Sequence, residues 1–335
     1  MKSISSPISK QEKNYTQQNI KKSTSLWISL ALVIIILLIY QVRAGTALNE
    51  FQIQTLINGG LALSLASVGL SIIIISGEFD ASVGSIITVI NVIAATTMTD
   101  QVPKDIAICA GLIILGITIG VINGFLIAYA GIQSIIATLA TNFVWFGVSL
   151  MLLPKPGGFI PHWFNILLQG TYIRYIPNSL IWLLFLVIAI TFFRKTKFYR
   201  SIYAIGSDPD AALRNGIDIK LTRVKVYATA GFLYALSGLF LSAQTTSGDP
   251  NIGVAFMLLG FSAVVVGGTP FGGGRGSLYS GITGAYILRL LDSVLISIGI
   301  TSYFNDIVQG SILLITVALG SMLYKLRSKP TKVNR

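Results

Sequence analysis

The chain has 335 residues, 53% of them apolar and 11% charged, with a formal net charge of +12, a mean hydropathy of +0.76 and a single cysteine. This balance excludes an ordinary soluble domain, whose helices carry a polar stripe between apolar faces, and the lone Cys109 excludes a disulfide framework. The basic excess sits in the connections between apolar runs and not in an interleaved basic and aromatic patch, so it does not mark a nucleic-acid surface.

Residues 1–25 are polar, with Lys2, Lys10, Lys13, Lys21 and Lys22, and they lead into the first apolar run without a small-residue cleavage site. They read as a cytoplasmic tail before an uncleaved anchor. Apolar stretches then predict spans at 26–42, 56–76, 83–99, 106–128, 134–153, 176–193, 225–246, 252–270, 277–298 and 304–323. The expected fold is an all-α integral membrane protein of about ten helices: a transmembrane domain over 26–324 and a cytoplasmic tail at 325–335. An even span count with an inside N-terminus satisfies the positive-inside rule. Of the 24 Lys and Arg, only Arg43, Lys104, Lys155 and Arg174 fall outside, and Arg289 lies within a span. Two connections are long: an outside loop at 154–175 containing an exposed His162, and a basic cytoplasmic loop at 194–225.

Short motifs punctuate this pattern. In Ser76-Gly77-Glu78-Phe79-Asp80-Ala81-Ser82-Val83-Gly84, Gly77 breaks one helix and Asp80 or Ser82 is placed to cap the next. The carboxylates of Glu78 and Asp80 allow an alternative, cation or proton coupling, with Asp292 as a third candidate. Gly116, Gly120 and Gly124 recur every fourth residue, and Gly276, Ser280 and Gly284 repeat that spacing in the ninth span, which predicts close backbone packing.

Within 194–225, Asp208 caps, Pro209 opens and Gly216 stops a two-turn helix whose small residues Asp210, Ala211 and Ala212, beside Arg214, suit docking into another protein's groove. A solvated loop helix is the competing reading. The glycine-rich run Gly267 to Ser277 has Gly274 where a phosphate-binding loop needs lysine, so it does not bind ATP in that way. One histidine and scattered carboxylates give no metal site, and no cofactor is expected. Polar residues inside spans are costly, which makes Asn91, Asn123, Asn142, Arg289 and Asp292 candidates for a translocation path, with interhelical bonding, and an Arg289–Asp292 pair at i, i+3, as the structural alternative.

Three segments carry a resemblance: 77–85, 203–217 and Gly267-Gly268-Thr269 through Gly276. In order and spacing they are similar to the signatures of the permeases of ribose-type ABC importers, which also carry other monosaccharides and a sugar-like quorum-sensing signal. The resemblance makes Gly77, Asp80, Ser82, Gly84, Gly267, Gly268 and Gly276 structural signature residues. It makes Asp208, Asp210, Ala211, Ala212, Arg214 and Gly216 the element coupled to an ATPase. It further implies a bacterial inner-membrane location, a second identical or different permease chain, cytoplasmic ATP-binding subunits, and an external sugar-binding protein. Gln133 in place of proline before Ser134, Ala81 in place of leucine, and Arg289 in a pore for neutral sugars depart from that pattern.

Overall fold

The computed structural model describes residues 30–42, 49–172 and 176–299, with positions 307, 310, 311 and 314 beyond them. Both expected tails and most of the expected tenth span lie outside the described residues. The described chain is all helical: α1 (Leu30–Val42), α2 (Glu50–Ile75), α3 (Val83–Thr97), α4 (Val102–Ala128), α5 (Ser134–Leu152), α6 (His162–Gln169), α7 (Asn178–Phe193), α8 (Lys197–Ser207), α9 (Pro209–Arg214), α10 (Ile219–Thr245), α11 (Val254–Val266) and α12 (Tyr279–Ser297). A β-type bridge joins Gly157 and Gly248.

Four of these helices, α2, α4, α5 and α10, are long and apolar enough to cross a membrane. A fifth span is formed if α7 and α8, bent by 76° at their junction, are taken together. α1, α3 and α11 are apolar but shorter than the roughly 20 residues a spanning helix needs. The chain is a multi-pass membrane protein.

Burial divides the helices into an interior and a shell. In α2 and α10, 83% and 78% of the most apolar stretch is buried, whereas in α4 and α5 the shares are 28% and 17%. α2 is apolar around its whole circumference, as a helix enclosed by others must be. Its neighbours are α10, α12 and α11, and α10 in turn packs on α4 and α3. The shell helices turn large side chains outward, among them Phe143 and Met151 of α5 and Leu184 and Phe185 of α7. Such faces are stable against lipid tails and not against water.

The glycine repeat of α4 does what its spacing predicts. A Cβ on Gly120 would stand 2.2 Å from the Tyr227 carbonyl oxygen of α10, and one on Gly116 would stand 2.7 Å from that of Gly231. Gly231 meets the Gly116 carbonyl in return, so α4 and α10 touch backbone to backbone. The second repeat is only partly helical. Gly276 precedes α12 and has φ +119°, while Ser280 and Gly284 lie in the helix, Gly284 against the Ala263 carbonyl of α11.

Both long connections contain helices. The long connection after α5 contains α6, which His162 begins and in which His162 remains exposed; Phe164, Leu168 and Gln169 hold it on the bundle. The basic loop is α8, α9 and the first turns of α10, with only short links between them. At eight and eleven residues, α6 and α8 are each too short to cross a membrane alone. Their apolar residues are interspersed with polar ones, so neither forms an uninterrupted apolar run.

Gly120→Ala is expected to destabilise the fold by about 1–3 kcal/mol, because the added methyl must push α10 away. Gly111→Ala on the same helix, with nothing within 4 Å of the new Cβ, should leave thermal unfolding in detergent unchanged or slightly improved. Equal behaviour of the two variants would contradict the packing seam.

Candidate functional site

The three motif segments, far apart in sequence, converge at one place. Gly77, with φ +85°, follows α2; Gly206 is near the end of α8; Gly273 and Gly274 belong to the loop between α11 and α12. A Cβ on Gly206 would lie 1.9 Å from the Ile75 carbonyl oxygen and 2.6 Å from the Gly274 nitrogen. A Cβ on Gly273 would lie 2.4 Å from the Gly206 carbonyl oxygen and 2.9 Å from Gly77 Cα. Three backbones therefore meet where no side chain fits. The Gly274 amide donates to the Ile75 carbonyl at 2.7 Å, and the Tyr203 hydroxyl donates to the Gly276 carbonyl at 3.0 Å, fixing loop to helix. Inside that loop, buried Thr269 bonds Ser280 and accepts from the Ser277 amide, while Gly267 abuts the Ser280 carbonyl and Gly268 has φ +99°.

From this junction the α2–α3 turn runs inward and is held by four helices. Glu78 pairs with Arg223 of α10 at 2.7 Å. The Phe79 carbonyl accepts from the Tyr227 hydroxyl at 2.8 Å, and the Phe79 ring stacks on Phe261 of α11 at 4.3 Å. The Ala81 amide donates to Thr138 Oγ1 of α5. Asp80 accepts from the amide and the hydroxyl of Ser82, at 2.8 and 2.6 Å, and Ser82 accepts from Asn123 Nδ2 of α4 at 2.8 Å. All three residues are buried. Burial raises the Asp80 carboxyl from the ordinary aspartate range to about 6, against the lowering effect of its Ser82 bonds.

This corrects the capping expectation. Ser82 is the N-cap residue of α3 yet makes no side-chain cap bond, and Asp80 braces the turn instead of the helix. Asn123 Oδ1, beside this chain of bonds, is buried without a hydrogen-bond partner among the described residues. Gly84 serves a different contact, where α3 crosses the start of α11: a Cβ there would stand 2.4 Å from the Gly253 carbonyl oxygen.

The polar residues expected to line a path lie on α3, α4, α5 and α12. Asn91 is buried and fully engaged: its Nδ2 donates to Ser242 Oγ and to the Ser247 carbonyl, and its Oδ1 accepts from the Asp249 amide. It ties α3 to α10 and to the connection that follows. Asn123 serves the Ser82 turn. Asn142 is half-buried on α5. Arg289 of α12 lies against α2, where a Cβ on Gly59 would stand 2.2 Å from its Nε, and that buried nitrogen has no hydrogen-bond partner among the described residues. Asp292 is half-buried on the same helix.

The expected docking helix has the ends its sequence predicts. Asp208 Oδ1 accepts from the Ala211 amide, Pro209 is the first residue of α9, and Gly216, φ +77°, closes it, with the Ile217 amide returning to the Ala212 carbonyl. Ala212 is buried against its own chain, which removes it from any outward contact. The exposed face is Pro209, Asp210, Leu213 and Arg214. Leu213, 59% exposed, is not among the expected residues, since an apolar position in so short a helix reads as packing. Beside it a cavity of about 570 Å³ is lined by Ala128, Leu213, Gly216, Ile217, Lys220 and Arg223 among others. Among the described residues no group of three His, Cys, Asp or Glu is placed to hold a metal ion.

Asn91→Leu is expected to cost about 1–3 kcal/mol, because the Asp249 amide and Ser242 lose a buried partner. Asn142→Leu should leave unfolding in detergent unchanged. The reverse order would contradict the bracing role of Asn91.

Comparison with known proteins adds the following. Residues 52–317 match the family model described as branched-chain amino acid transport system / permease component. The ribose import permease protein of Haemophilus influenzae is 31% identical over 305 residues, covering 88% of this chain and 92% of that protein. The ribose import permease protein of Bacillus subtilis is 31% identical over 85% of this chain and 89% of its own. The galactose/methyl galactoside import permease protein of Salmonella typhimurium is 28% identical over 91% and 97%. No solved structure matches the chain significantly.

Proposed function

The chain belongs to the family of branched-chain amino acid transport system permease components, and on that premise we propose that it is the permease subunit of an ABC importer for a monosaccharide. The relatives named for ribose and galactose support that cargo over an amino acid. In this reading the chain makes and breaks no bonds. It crosses a bacterial inner membrane about ten times with both ends in the cytoplasm, pairs with a second permease chain, and receives sugar from an external binding protein. ATP is hydrolysed by separate cytoplasmic subunits.

The observation that carries the mechanism is the junction of Gly77, Gly206 and Gly273. α9 follows α8 with only Asp208 between them, so a push on the exposed Asp210, Leu213 and Arg214 face is delivered to α8 and, through Gly206, to the α2–α3 turn and the 267–277 loop together. Both latter segments end directly on interior helices, α2, α3, α11 and α12. Close backbone contact makes these parts move as one body, because no flexible side chain lies between them to absorb displacement. The cavity beside Leu213 gives an ATPase subunit a recess into which it can seat.

The test is to tag the chain, extract it gently from its own host membrane, and identify what accompanies it. Stoichiometric recovery of a P-loop ATPase, with ATP-dependent uptake of ribose or galactose when the complex is placed in vesicles, is the expected result. Recovery of the chain alone from a preparation that preserves other membrane complexes, or uptake that ignores ATP and follows an ion gradient, would overturn the reading.

A further inference from the structure

The outer surface where α7 meets α8 holds none of the residues assigned above to coupling or to a translocation path. Along α7, Ile181, Leu184, Phe185, Ile188 and Phe192 fall on one side of the helix and are all exposed, Phe185 and Phe192 by 63% and 65%. This apolar row runs directly into three exposed cations, Lys195, Lys197 and Arg200. The 76° bend turns α8 across the end of α7, so the cations stand where the chain leaves the apolar layer. α8 buries Ile202 and Ile205 and turns Lys197 and Arg200 outward, the arrangement of a helix lying in a membrane interface.

The sequence has no Asp or Glu between Asp105 and Asp208, and among the described residues no ion pair reaches Lys195, Lys197 or Arg200. Arg194 beside them is occupied, its guanidinium lying 5.4 Å from the Tyr279 ring centroid. Lys195 Nζ sits 5.3 Å from the centroid of the Phe192 ring, joining the apolar row to the charges.

We propose that this elbow binds an anionic phospholipid, with its acyl chains along Phe185, Ile188 and Phe192 and its phosphate between Lys195, Lys197 and Arg200. Continuity between a lipid-facing row and a net positive cluster selects a lipid over a soluble anion, which has no use for the row, and over an acidic protein surface, which would leave it uncovered. The site stands independently of which cargo the chain carries and of what drives it.

The experiment places the full complex in nanodiscs of equal phosphatidylglycerol and phosphatidylcholine, washes it with mild detergent and measures retained lipid by native mass spectrometry. Preference for phosphatidylglycerol of at least about tenfold is expected, falling toward parity in the combined variant Lys195→Gln, Lys197→Gln, Arg200→Gln and persisting in Lys195→Arg, Lys197→Arg, Arg200→Lys. Preference in the wild type should also fall as salt rises from about 0.05 to 0.5 M, a readout that needs no variant to fold. Equal retention of both lipids, a preference that survives the glutamine variant, or insensitivity to salt would each overturn the proposal. Full displacement by inorganic phosphate would show a site for a free anion, and a preference that arises only after the cytoplasmic subunits are stripped away would show their docking surface; either outcome also rejects it.

Discussion

The contact on which the rest depends is the meeting of three backbones at Gly77, Gly206 and Gly273. A methyl group on Gly206 would stand 1.9 Å from the Ile75 carbonyl oxygen, a separation no rotamer change can relieve, because the opposing atom is backbone. Gly77 and Gly273 also have positive φ, at +85° and +74°, which makes glycine the residue of least strain at each. With the three in place, the end of α8, the turn after α2 and the loop before α12 become neighbours. α8 is also held through its own apolar face and the Tyr203 bond to the 267–277 loop.

The rest of the site follows from how a turn can be buried among apolar helices. Unsatisfied backbone groups are expensive there, and the 77–82 turn meets that cost with partners from α4, α5 and α10: Asn123 through Ser82, Thr138 for the Ala81 amide, Tyr227 for the Phe79 carbonyl. Glu78 is paired with Arg223 and Asp80 is bonded to Ser82, so both carboxylates also brace the turn. The arrangement makes a signature that reads as a string of small and polar residues into a structural clasp. The same need for buried partners governs Asn91, which closes the link between α3 and the end of α10.

Much of this is legible in the sequence. Runs of apolar residues locate the helices within a few residues, since α3, α4, α5, α7 and α12 differ from their expected spans chiefly near their ends. The ends of α9 are legible because Asp208, Pro209 and Gly216 are local signals that act within one turn. The repeat at Gly116, Gly120 and Gly124 announces a seam, although not that its partner is α10. What stays hidden depends on how elements fold back on one another. The mixture of apolar and polar residues in α8 is a sign of an interfacial helix, and the surrounding basic charge obscures it. Ala212 is buried in a helix that packs on both α8 and α10, a geometry that the six residues of α9 do not encode. Arg289 lies against Gly59 because α12 returns to pack on α2, and no spacing rule reaches that far along the chain.

The central claim is that α8, the α2–α3 turn and the 267–277 loop act as one body. Spin labels on the exposed Lys197 of α8 and the exposed Arg275 of the 267–277 loop, placed as Lys197→Cys and Arg275→Cys in a Cys109→Ser background, report whether these parts separate without disturbing the junction. The account predicts the same label-to-label distance distribution in the complex with and without ATP. A distance that changes between the two states would contradict it.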